Sequence, residues 1–414
     1  MSIKELCALA KEASYKLSTL STQQKNAALA AIGAQIKLDK DVIMQANAKD
    51  LALAKKSGKP QAFLDRLALT QLRIQGILEG LEAVAALADP VGEIAEQYTV
   101  ASGLNIKKVR SPLGVIGIIY EARPNVTIDA IALTLKSGNA VVLRGSRDAA
   151  NSNYALVQAA KKGLKSAEIN ENAVVFLASP AREDTKVMLE QAGSIDVVIP
   201  RGGEELKNFV LKHANMPVIA SAGGNCHLFV EASADLEKAI PVIVNAKVQR
   251  PSVCNALETL LVEQSIADSF LPKAAQALCK EKVILKGNAQ VAAILSDIEP
   301  ADDAEYYKEY NDLILKIKIV KDTTSAIAHI NKYGTGHSEA ILTQDSTKAE
   351  QFTSAVDSAA VFVNASTRFT DGFEFGLGAE MGISTQKLHV RGPIGLKELT
   401  SLKYVVTGDW TARS

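Results

Sequence analysis

The sequence lacks the cysteine pairs and long apolar runs that mark several classes of protein. Its four cysteines, Cys7, Cys226, Cys254 and Cys279, are widely spread and form no CxxC pair, which argues against a structural zinc site or a disulfide framework. No apolar run approaches transmembrane length, and the N-terminal MSIKELCALAKEASYKL carries charges where a signal peptide needs an apolar stretch. We therefore expect a soluble, cytoplasmic protein without membrane contacts, whose special cysteine, if any, acts alone.

The chain also has no excess of charge, because 46 basic residues balance 46 acidic ones. A nucleic-acid-binding surface needs positive charge, so we expect no nucleic-acid partner. The 414 residues, 47% of them hydrophobic, are too many for one ordinary core and suit two or three domains. The composition predicts a multidomain globular protein that acts on a small neutral or anionic molecule.

Hydrophobic periodicity predicts an α/β protein with a helical start. Residues 1 to about 90 carry apolar residues at three- and four-residue spacing, which is typical of amphipathic helices. After Asp89, apolar runs such as GVIGIIY, AVVLRG and AVVFLA alternate with helical stretches. Strands separated by helices predict a doubly wound parallel sheet with helices on both faces.

The same patterns predict three segments: a first domain over 1–232, a second α/β domain over 233–365, and a return segment with a C-terminal arm over 366–414. The C-terminal STQKLHVRGPIGLKELTSLKYVVTGDW has strand character with little to bury it locally. Such an arm is expected to pair with another subunit in a homo-oligomer. A strand segment near 94–110 is expected to join it.

No GxGxxG dinucleotide fingerprint follows the first strand of the sheet. In IDVVIPRGGEEL, however, Arg201, Gly202 and Gly203 follow a buried strand, where a helix N-terminus attracts a pyrophosphate, although a glycine pair there is also ordinary turn chemistry. A second polar group ends the strand AVVLRG, and its members are Arg144, Ser146 and Arg147. This basic group is either solvated surface or a contact to a ribose 2′-phosphate, and the second reading favours NADP over NAD.

Cys254 lies in NAKVQRPSVCNALETLLV, with Lys247 and Arg250 close upstream. A lone cysteine beside apolar residues is more often a core residue than a nucleophile, so the local sequence leaves both open. The five histidines lie apart and predict no metal site. His337, in the glycine-rich YGTGHSEAI, is equally suited to a site role or a structural one.

Several longer motifs occur in one order along the chain, among them SPLGVIGIIYEARPNVTIDAIALTLKSGNAVVLRGS, QRPSVCNALETLLV, YGTGHSEAI and FVNASTRFTDGFEFGLGAEMGIS. In these stretches, which cover nearly all of the chain after residue 100, the sequence resembles the gamma-glutamyl phosphate reductase family of the aldehyde-dehydrogenase superfamily. The resemblance implies a dinucleotide-binding domain in the first segment, a catalytic domain in the second and an oligomerisation arm in the third.

The resemblance also implies roles for single residues. Cys254 matches the superfamily nucleophile, and Asn125 matches the asparagine that stabilises negative charge on the acyl oxygen together with the backbone N–H of Cys254. Glu309 is similar to the glutamate that holds the nicotinamide ribose, although Asn311 replaces the usual phenylalanine. For the phosphate and carboxylate of the substrate we expect four further residues: Arg123, His337, Thr367 and Arg368.

One departure from the superfamily is informative. Hydrolytic members carry a glutamate two residues before a glycine pair, whereas this chain reads SAGG, with Ser221 at that place. Without this general base a thioester on Cys254 is expected to exchange with phosphate rather than be hydrolysed. The resemblance then implies NADPH-dependent reduction of L-glutamyl 5-phosphate to L-glutamate 5-semialdehyde and phosphate through a cysteine thioester, the second step of proline biosynthesis from glutamate.

We expect a separate glutamate kinase to supply the labile substrate. Three alternatives share parts of the pattern: a hydrolytic aldehyde dehydrogenase, an acyltransferase that uses Cys254 without a redox cofactor, and a silent scaffold that only oligomerises. Ser221 speaks against the first. Nicotinamide binding separates the other two from a reductase.

Overall fold

The computed structural model describes residues 1–178, 181–221 and 223–413, apart from the side chains of Ala62 and Arg182. Its helices are α1 Ile3–Leu17, α2 Thr22–Leu38, α3 Lys40–Lys56, α4 Gln61–Leu67, α5 Gln71–Ala86, α6 Asn125–Lys136, α7 Ala150–Ser166, α8 Arg182–Leu189, α9 Glu204–His213, α10 Leu236–Val248, α11 Ala267–Lys280, α12 Ala289–Ala292, α13 Thr323–Tyr333 and α14 Ser346–Ala355. Its strands are β1 Ile94–Thr99, β2 Asn105–Pro112, β3 Val115–Tyr120, β4 Ala140–Arg144, β5 Val174–Phe176, β6 Val197–Arg201, β7 Cys226–Val230, β8 Leu257–Glu263, β9 Ile284–Gly287, β10 Glu299–Pro300, β11 Ile314–Val320, β12 Ser338–Leu342, β13 Ala360–Val363, β14 Ile383–Ser384, β15 Gly392–Pro393 and β16 Thr400–Thr407.

The chain divides into two compact units. Unit 1 comprises Met1–Ala220, Gly376–Gly382 and Ile394–Ser414, and unit 2 comprises Ser221–Phe375 and Ile383–Pro393. The division falls at residue 220 rather than at the predicted 232, because β7 pairs with β8 and β12 in the sheet of unit 2. Most of the predicted return segment before residue 393 also lies in unit 2.

The amphipathic helices predicted for the start of the chain are present. Ser2 and Ser21 begin α1 and α2 with capping boxes, in which the serine side chain and a Glu or Gln three residues on satisfy each other's backbone N–H groups. Cys7 lies on the buried face of α1 among alanines and Leu17. Tertiary packing of such apolar faces stabilises helices of this length.

Unit 1 contains a parallel four-stranded sheet in the order β5-β4-β3-β6. Every residue of β3 is buried, as its unbroken apolar sequence VIGIIY requires. The chain leaves β3 toward β4 on one side and later adds β6 on the other. The strand order therefore reverses at β3, and ligands bind at the carboxyl ends of strands beside such a point. Beyond β6, Val218 pairs with Val198 through an isolated parallel bridge, and residues 216–221 form no longer strand.

A separate antiparallel sheet in unit 1 joins β1, β2 and β16 in that order. The sequence analysis expected strands in both places, near 94–110 and at the C-terminus. All of β16 beyond Thr400 is exposed, including Leu402, Tyr404 and Val406. An apolar strand with this exposure is a surface suited to pairing with another chain.

Unit 2 is built on a parallel seven-stranded sheet in the order β10-β9-β11-β8-β7-β12-β13. Four strands of this sheet, β8, β11, β12 and β13, lie in the second α/β domain that the sequence predicts over 233–365. One face of the sheet packs on α10 and α11 through a large apolar cluster that includes Phe270 and Leu271. The loops at the carboxyl end of α10 and the amino ends of β7 and β8 carry the residues described next. Within the described ranges no helix has the length and apolar character needed to cross a bilayer.

Candidate active site

Cys254 lies in a tight loop of unit 2 between α10 and β8. A turn in which the N–H of Ala256 donates to the carbonyl oxygen of Val253 at 3.0 Å ends the loop. The Cys254 side chain is half-buried, and its carbonyl oxygen accepts a hydrogen bond from the thiol of Cys226, with Sγ and O 3.1 Å apart. Cys226, the first residue of β7, thus lies against the loop of Cys254.

Two glycines hold this loop and Glu309 together. A Cβ atom on Gly224 would overlap the carbonyl group of Cys254, and one on Gly223 would overlap the carboxylate of Glu309. The N–H of Gly224 donates to Oε1 of Glu309 at 2.8 Å. Only residues without side chains allow such close approach. The glycine pair therefore packs between the predicted nucleophile and the predicted cofactor ligand within one unit.

The short helical turn Thr367–Phe369 supports the loop from the other side. The buried hydroxyl of Thr367 donates to the carbonyl oxygen of Asn255 at 2.7 Å. Arg368 donates from Nε to Oε1 of Gln249 at 2.7 Å and from Nη1 to Oδ1 of Asn255. Both residues predicted to bind substrate thus contact the cysteine loop.

His337 is fully buried behind the same loop. Its Nδ1 lies 2.7 Å from Oγ of Ser338 and 3.9 Å from Sγ of Cys226, and Nε2 has no hydrogen-bond partner among the described residues. Burial lowers the pKa of His337 to about 4, so the imidazole is neutral near pH 7. The ring is placed to support Cys226, and contact with substrate stays a prediction.

The cation nearest in sequence to the loop, Lys247, is not available to the thiol of Cys254. Lys247 and Glu258 form a fully buried ion pair with 3.1 Å between Nζ and Oε1. Burial lowers the pKa of Lys247 and raises that of Glu258, while the opposite charge of each partner acts against this change. A paired charge is largely neutralised at a distance. Arg250, which lies within the loop itself, is exposed.

In unit 1, Asn125 is the first residue of α6 and its side chain is exposed. Its amide donates to the carboxylate of Asp129 at 3.0 Å, one helical turn on. Burial raises the pKa of Asp129 to about 6, against the opposing effects of the Asn125 hydrogen bond and the positive charge of Arg201. The carboxylate can therefore orient the amide above that pH. Arg123 lies exposed just before this helix.

The carboxyl ends of β4 and β6 carry the residues predicted to bind a dinucleotide. Arg144 ends β4, Ser146 caps the short turn Arg147–Ala149, and Arg147 is exposed. Arg201 ends β6, followed by Gly202 and then Gly203 at the N-cap of α9. A Cβ on Gly203 would meet nothing within 4 Å, so the backbone there is open to a ligand. Because Glu204 and Glu205 occupy the first turn of α9, the positive charge at these strand ends is carried by the arginines. These residues fit a phosphorylated dinucleotide.

Ser221 is half-buried and bridges to Ser384 in unit 2. Ala222, the second residue of SAGG, lies outside the described residues. Within the described ranges, no group of three or more His, Cys, Asp or Glu side chains is arranged to hold a metal ion. Unit 2 thus brings together Cys254, Glu309 and the Thr367–Arg368 turn and also contains Ser221, whereas Asn125 and the arginines of the first sheet belong to unit 1.

Residues 1–306 match the aldehyde dehydrogenase family. A gamma-glutamyl phosphate reductase of Carboxydothermus hydrogenoformans is 53% identical over 411 residues, which cover 99% of each chain. One of Heliobacterium modesticaldum is 51% identical and covers 98% of this chain and 97% of the relative. The crystal structure of the gamma-glutamyl phosphate reductase of Thermotoga maritima superposes with a TM-score of 0.98 at 46% identity and covers 99% of each chain.

The parallel α/β units and the cysteine loop define an oxidoreductase of the aldehyde-dehydrogenase type, a class that uses nicotinamide cofactors. The chain belongs to the aldehyde dehydrogenase family, and within it to the gamma-glutamyl phosphate reductases. The predicted fold class and resemblance are confirmed. The name shared by these relatives supports the step from glutamate to its semialdehyde in proline biosynthesis.

Three residues around the site carried no decisive sequence signal: Cys226, Gly224 and Asp129. The four-residue spacing of Asn125 and Asp129 puts both on one helix face, and this spacing was the one available clue. The approach of Cys226 and Gly224 to Cys254 joins segments about 30 residues apart. No local pattern records such a contact.

Proposed function

We propose that the chain catalyses the NADPH-dependent reduction of L-glutamyl 5-phosphate to L-glutamate 5-semialdehyde and phosphate. The observation that carries the proposal is Cys254 in a loop fixed by Gly224, Cys226 and Arg368, with Ser221 where hydrolytic members have a general base. A nucleophile held in this way and lacking a base for water suits acyl transfer from a phosphate leaving group.

The Cys254 thiolate attacks the acyl carbon, and the C–O bond to phosphate breaks with its electron pair leaving on phosphate. When bound, a nicotinamide cofactor would supply the hydride that reduces the thioester carbon. Collapse of the hemithioacetal then releases the aldehyde and restores the thiolate. Asn125 provides an amide N–H for the charge on the acyl oxygen, and Asp129 orients that amide.

Cofactor binding is assigned to both units. Arg144, Ser146 and Arg147 hold a 2′-phosphate and so favour NADP, and Arg201 with Gly202 and Gly203 holds the pyrophosphate. Glu309, whose carboxylate the N–H of Gly224 fixes, binds the nicotinamide ribose. For the anionic ends of the substrate we propose four residues, Arg123, His337, Thr367 and Arg368.

The exposed apolar strand β16 supports a homo-oligomer in which the three-stranded sheet pairs with a second copy of the chain. We also propose a cytoplasmic enzyme that receives its substrate from a separate glutamate kinase. Sedimentation of the purified protein tests the proposed homo-oligomer, and a monomer at micromolar concentration would contradict it.

The reaction is tested in the oxidative direction. Protein is mixed with semialdehyde and NADP, and NADPH absorbance is followed with and without phosphate. We expect continued NADPH formation only when phosphate is present, because without phosphate the reaction stops after one thioester has formed on each Cys254. An equal rate without phosphate would establish a hydrolytic enzyme instead. Cys254→Ser should abolish turnover, and the matched variant Cys279→Ser, in the exposed part of α11, should not change it.

A further inference from the structure

The side chain of Arg368 forms hydrogen bonds to both ends of the loop that carries Cys254. Arg368 donates from Nε to Gln249, the residue that follows α10, with 2.7 Å between Nε and Oε1. From Nη1 it donates to Oδ1 of Asn255, two residues before β8. The planar guanidinium can make both bonds at once because its N–H groups are fixed in a fork. It therefore links the start of the loop to its end.

Asn255 is in turn held rigidly. Its Nδ2 donates to the carbonyl oxygens of Thr370 at 2.8 Å and of Arg368 at 3.3 Å, while its own carbonyl oxygen accepts from Thr367. Asn255, Thr367 and Thr370 are all buried. The turn that carries Arg368 is thus anchored to the residue after Cys254, and the guanidinium cannot move independently of the loop.

Arg368 also brings a positive charge close to the loop that carries Cys254. Burial lowers the pKa of its guanidinium, repulsion from Arg250 adds to this, and the charges of Asp371 and Cys254 oppose it. The side chain nevertheless remains a cation near neutral pH. Because Lys247 is paired with Glu258, Arg368 is a half-buried cation near the loop whose charge interacts with that of Cys254.

We propose that Arg368 is a positioning residue that fixes the sulphur of Cys254 by joining Gln249 to Asn255, in addition to any contact with substrate. This inference rests on the proposed role of Cys254 as the nucleophile. Its consequence is that loss of either acceptor weakens catalysis without loss of substrate affinity. Gln249 is exposed and Arg368 half-buried, so the acceptor can be changed without disturbing a core.

The test compares Gln249→Ala, Gln249→Glu and Arg368→Lys with Gln290→Ala, an exposed glutamine in α12. Two quantities are measured: the rate of Cys254 alkylation by iodoacetamide without substrate, followed by peptide mass spectrometry, and kcat with KM. We expect Gln249→Ala to change the alkylation rate and to lower kcat by roughly tenfold to a hundredfold, with KM within about twofold. Arg368→Lys should change the alkylation rate and lower kcat to a similar extent, and its KM reports any contact of Arg368 with substrate. Gln249→Glu keeps a side-chain oxygen that can accept from Arg368, so this variant should retain most of the wild-type alkylation rate and kcat.

A raised KM with kcat and alkylation unchanged would assign Arg368 to substrate binding alone and overturn the positioning role. The positioning role would also be overturned if Gln249→Ala had the same alkylation rate and the same kcat as the control Gln290→Ala. Failure of the proposed function is recognised separately, because it would appear as full activity in Cys254→Ser. The melting temperature of each variant shows whether a loss of activity reflects unfolding.

Discussion

The backbone of Gly224 lies so close to the carbonyl group of Cys254 that no side chain fits between them. Gly224 also donates its N–H to Glu309 at 2.8 Å. One residue therefore sets the distance between the loop of the nucleophile and a proposed cofactor ligand. Gly224 lies where two loops of unit 2 meet, and the local sequence around it does not predict this contact.

Gly224→Ala should displace the Cys254 loop, since the added methyl overlaps backbone atoms that cannot rotate away. We expect kcat to fall by about a hundredfold or more, because small displacements at a reacting atom are costly. Steady-state kinetics and circular dichroism check this. The control is Gly76→Ala in the exposed part of α5, where a methyl meets nothing within 4 Å and should stabilise the helix by up to about 1 kcal/mol. Full activity in Gly224→Ala would contradict the geometry.

The four thiols should differ in reactivity in the folded protein. Burial raises the pKa of Cys7 to about 11 and that of Cys226 well above the ordinary value, so neither forms the reactive thiolate near pH 7. Cys254 is half-buried and Cys279 exposed. Mass spectrometry after brief iodoacetamide treatment should find the label on Cys254 and Cys279, and on all four only after denaturation. Early labelling of Cys226 would show that its contact with the Cys254 carbonyl opens.

Activity should decline in acid through Asp129. Its pKa is raised to about 6 by burial, so the carboxylate that accepts from Asn125 is present above pH 6 and protonated below it. We expect kcat to fall as the pH drops through about 6. Asp129→Asn should lose this dependence and show a kcat lowered by roughly threefold to tenfold at pH 8, the effect of one charged hydrogen bond.

The control for this profile is Asp297→Asn, an exposed aspartate of unit 2. It should keep the wild-type profile. An unchanged acid limb in Asp129→Asn would assign the dependence to another group.

Buried histidines of unit 2 should make stability depend on pH. Burial lowers the pKa of His329 to about 2, and the charges of His227 and nearby lysines add to this. The unfolded chain has an ordinary histidine pKa near 6.5, so below that pH it binds a proton that the folded chain does not. The contribution of His329 is therefore complete above about pH 6.5 and is lost as the pH falls toward 2.

The measurement is the free energy of unfolding in urea at pH 5 and pH 6 for the wild type and His329→Leu. The variant should reduce the slope against pH by at most about 1.4 kcal/mol per pH unit. The total slope is not informative, because Glu339, whose pKa burial raises well above the ordinary value, contributes with the opposite sign. Gln290→Ala, which removes no titratable group from α12, should leave the slope unchanged, and equal slopes for wild type and His329→Leu would contradict the prediction.

Much of the fold follows from local pattern. The unbroken apolar run of β3 predicts a strand buried on both faces, and the alternation of such runs with helices predicts the parallel sheets. The domain boundary was harder to predict, because the sequence of β7 resembles the sequences of the strands in the first sheet. Its pairing with β8 and β12 depends on residues more than 25 positions away, which no local period records.

The features of the site also fall into those that the sequence predicts and those that only the structure identifies. The sequence by itself determined the nucleophile candidate Cys254, the missing base at Ser221 and the arginines after the strands, because residue type and motif order carry that information. Only the tertiary structure decided that Lys247 is neutralised by Glu258, that Cys226 donates to the Cys254 carbonyl, and that Arg368 joins both ends of the loop. Hydrogen bonds and ion pairs act over a few ångströms in space, and folding brings together groups that the chain keeps far apart.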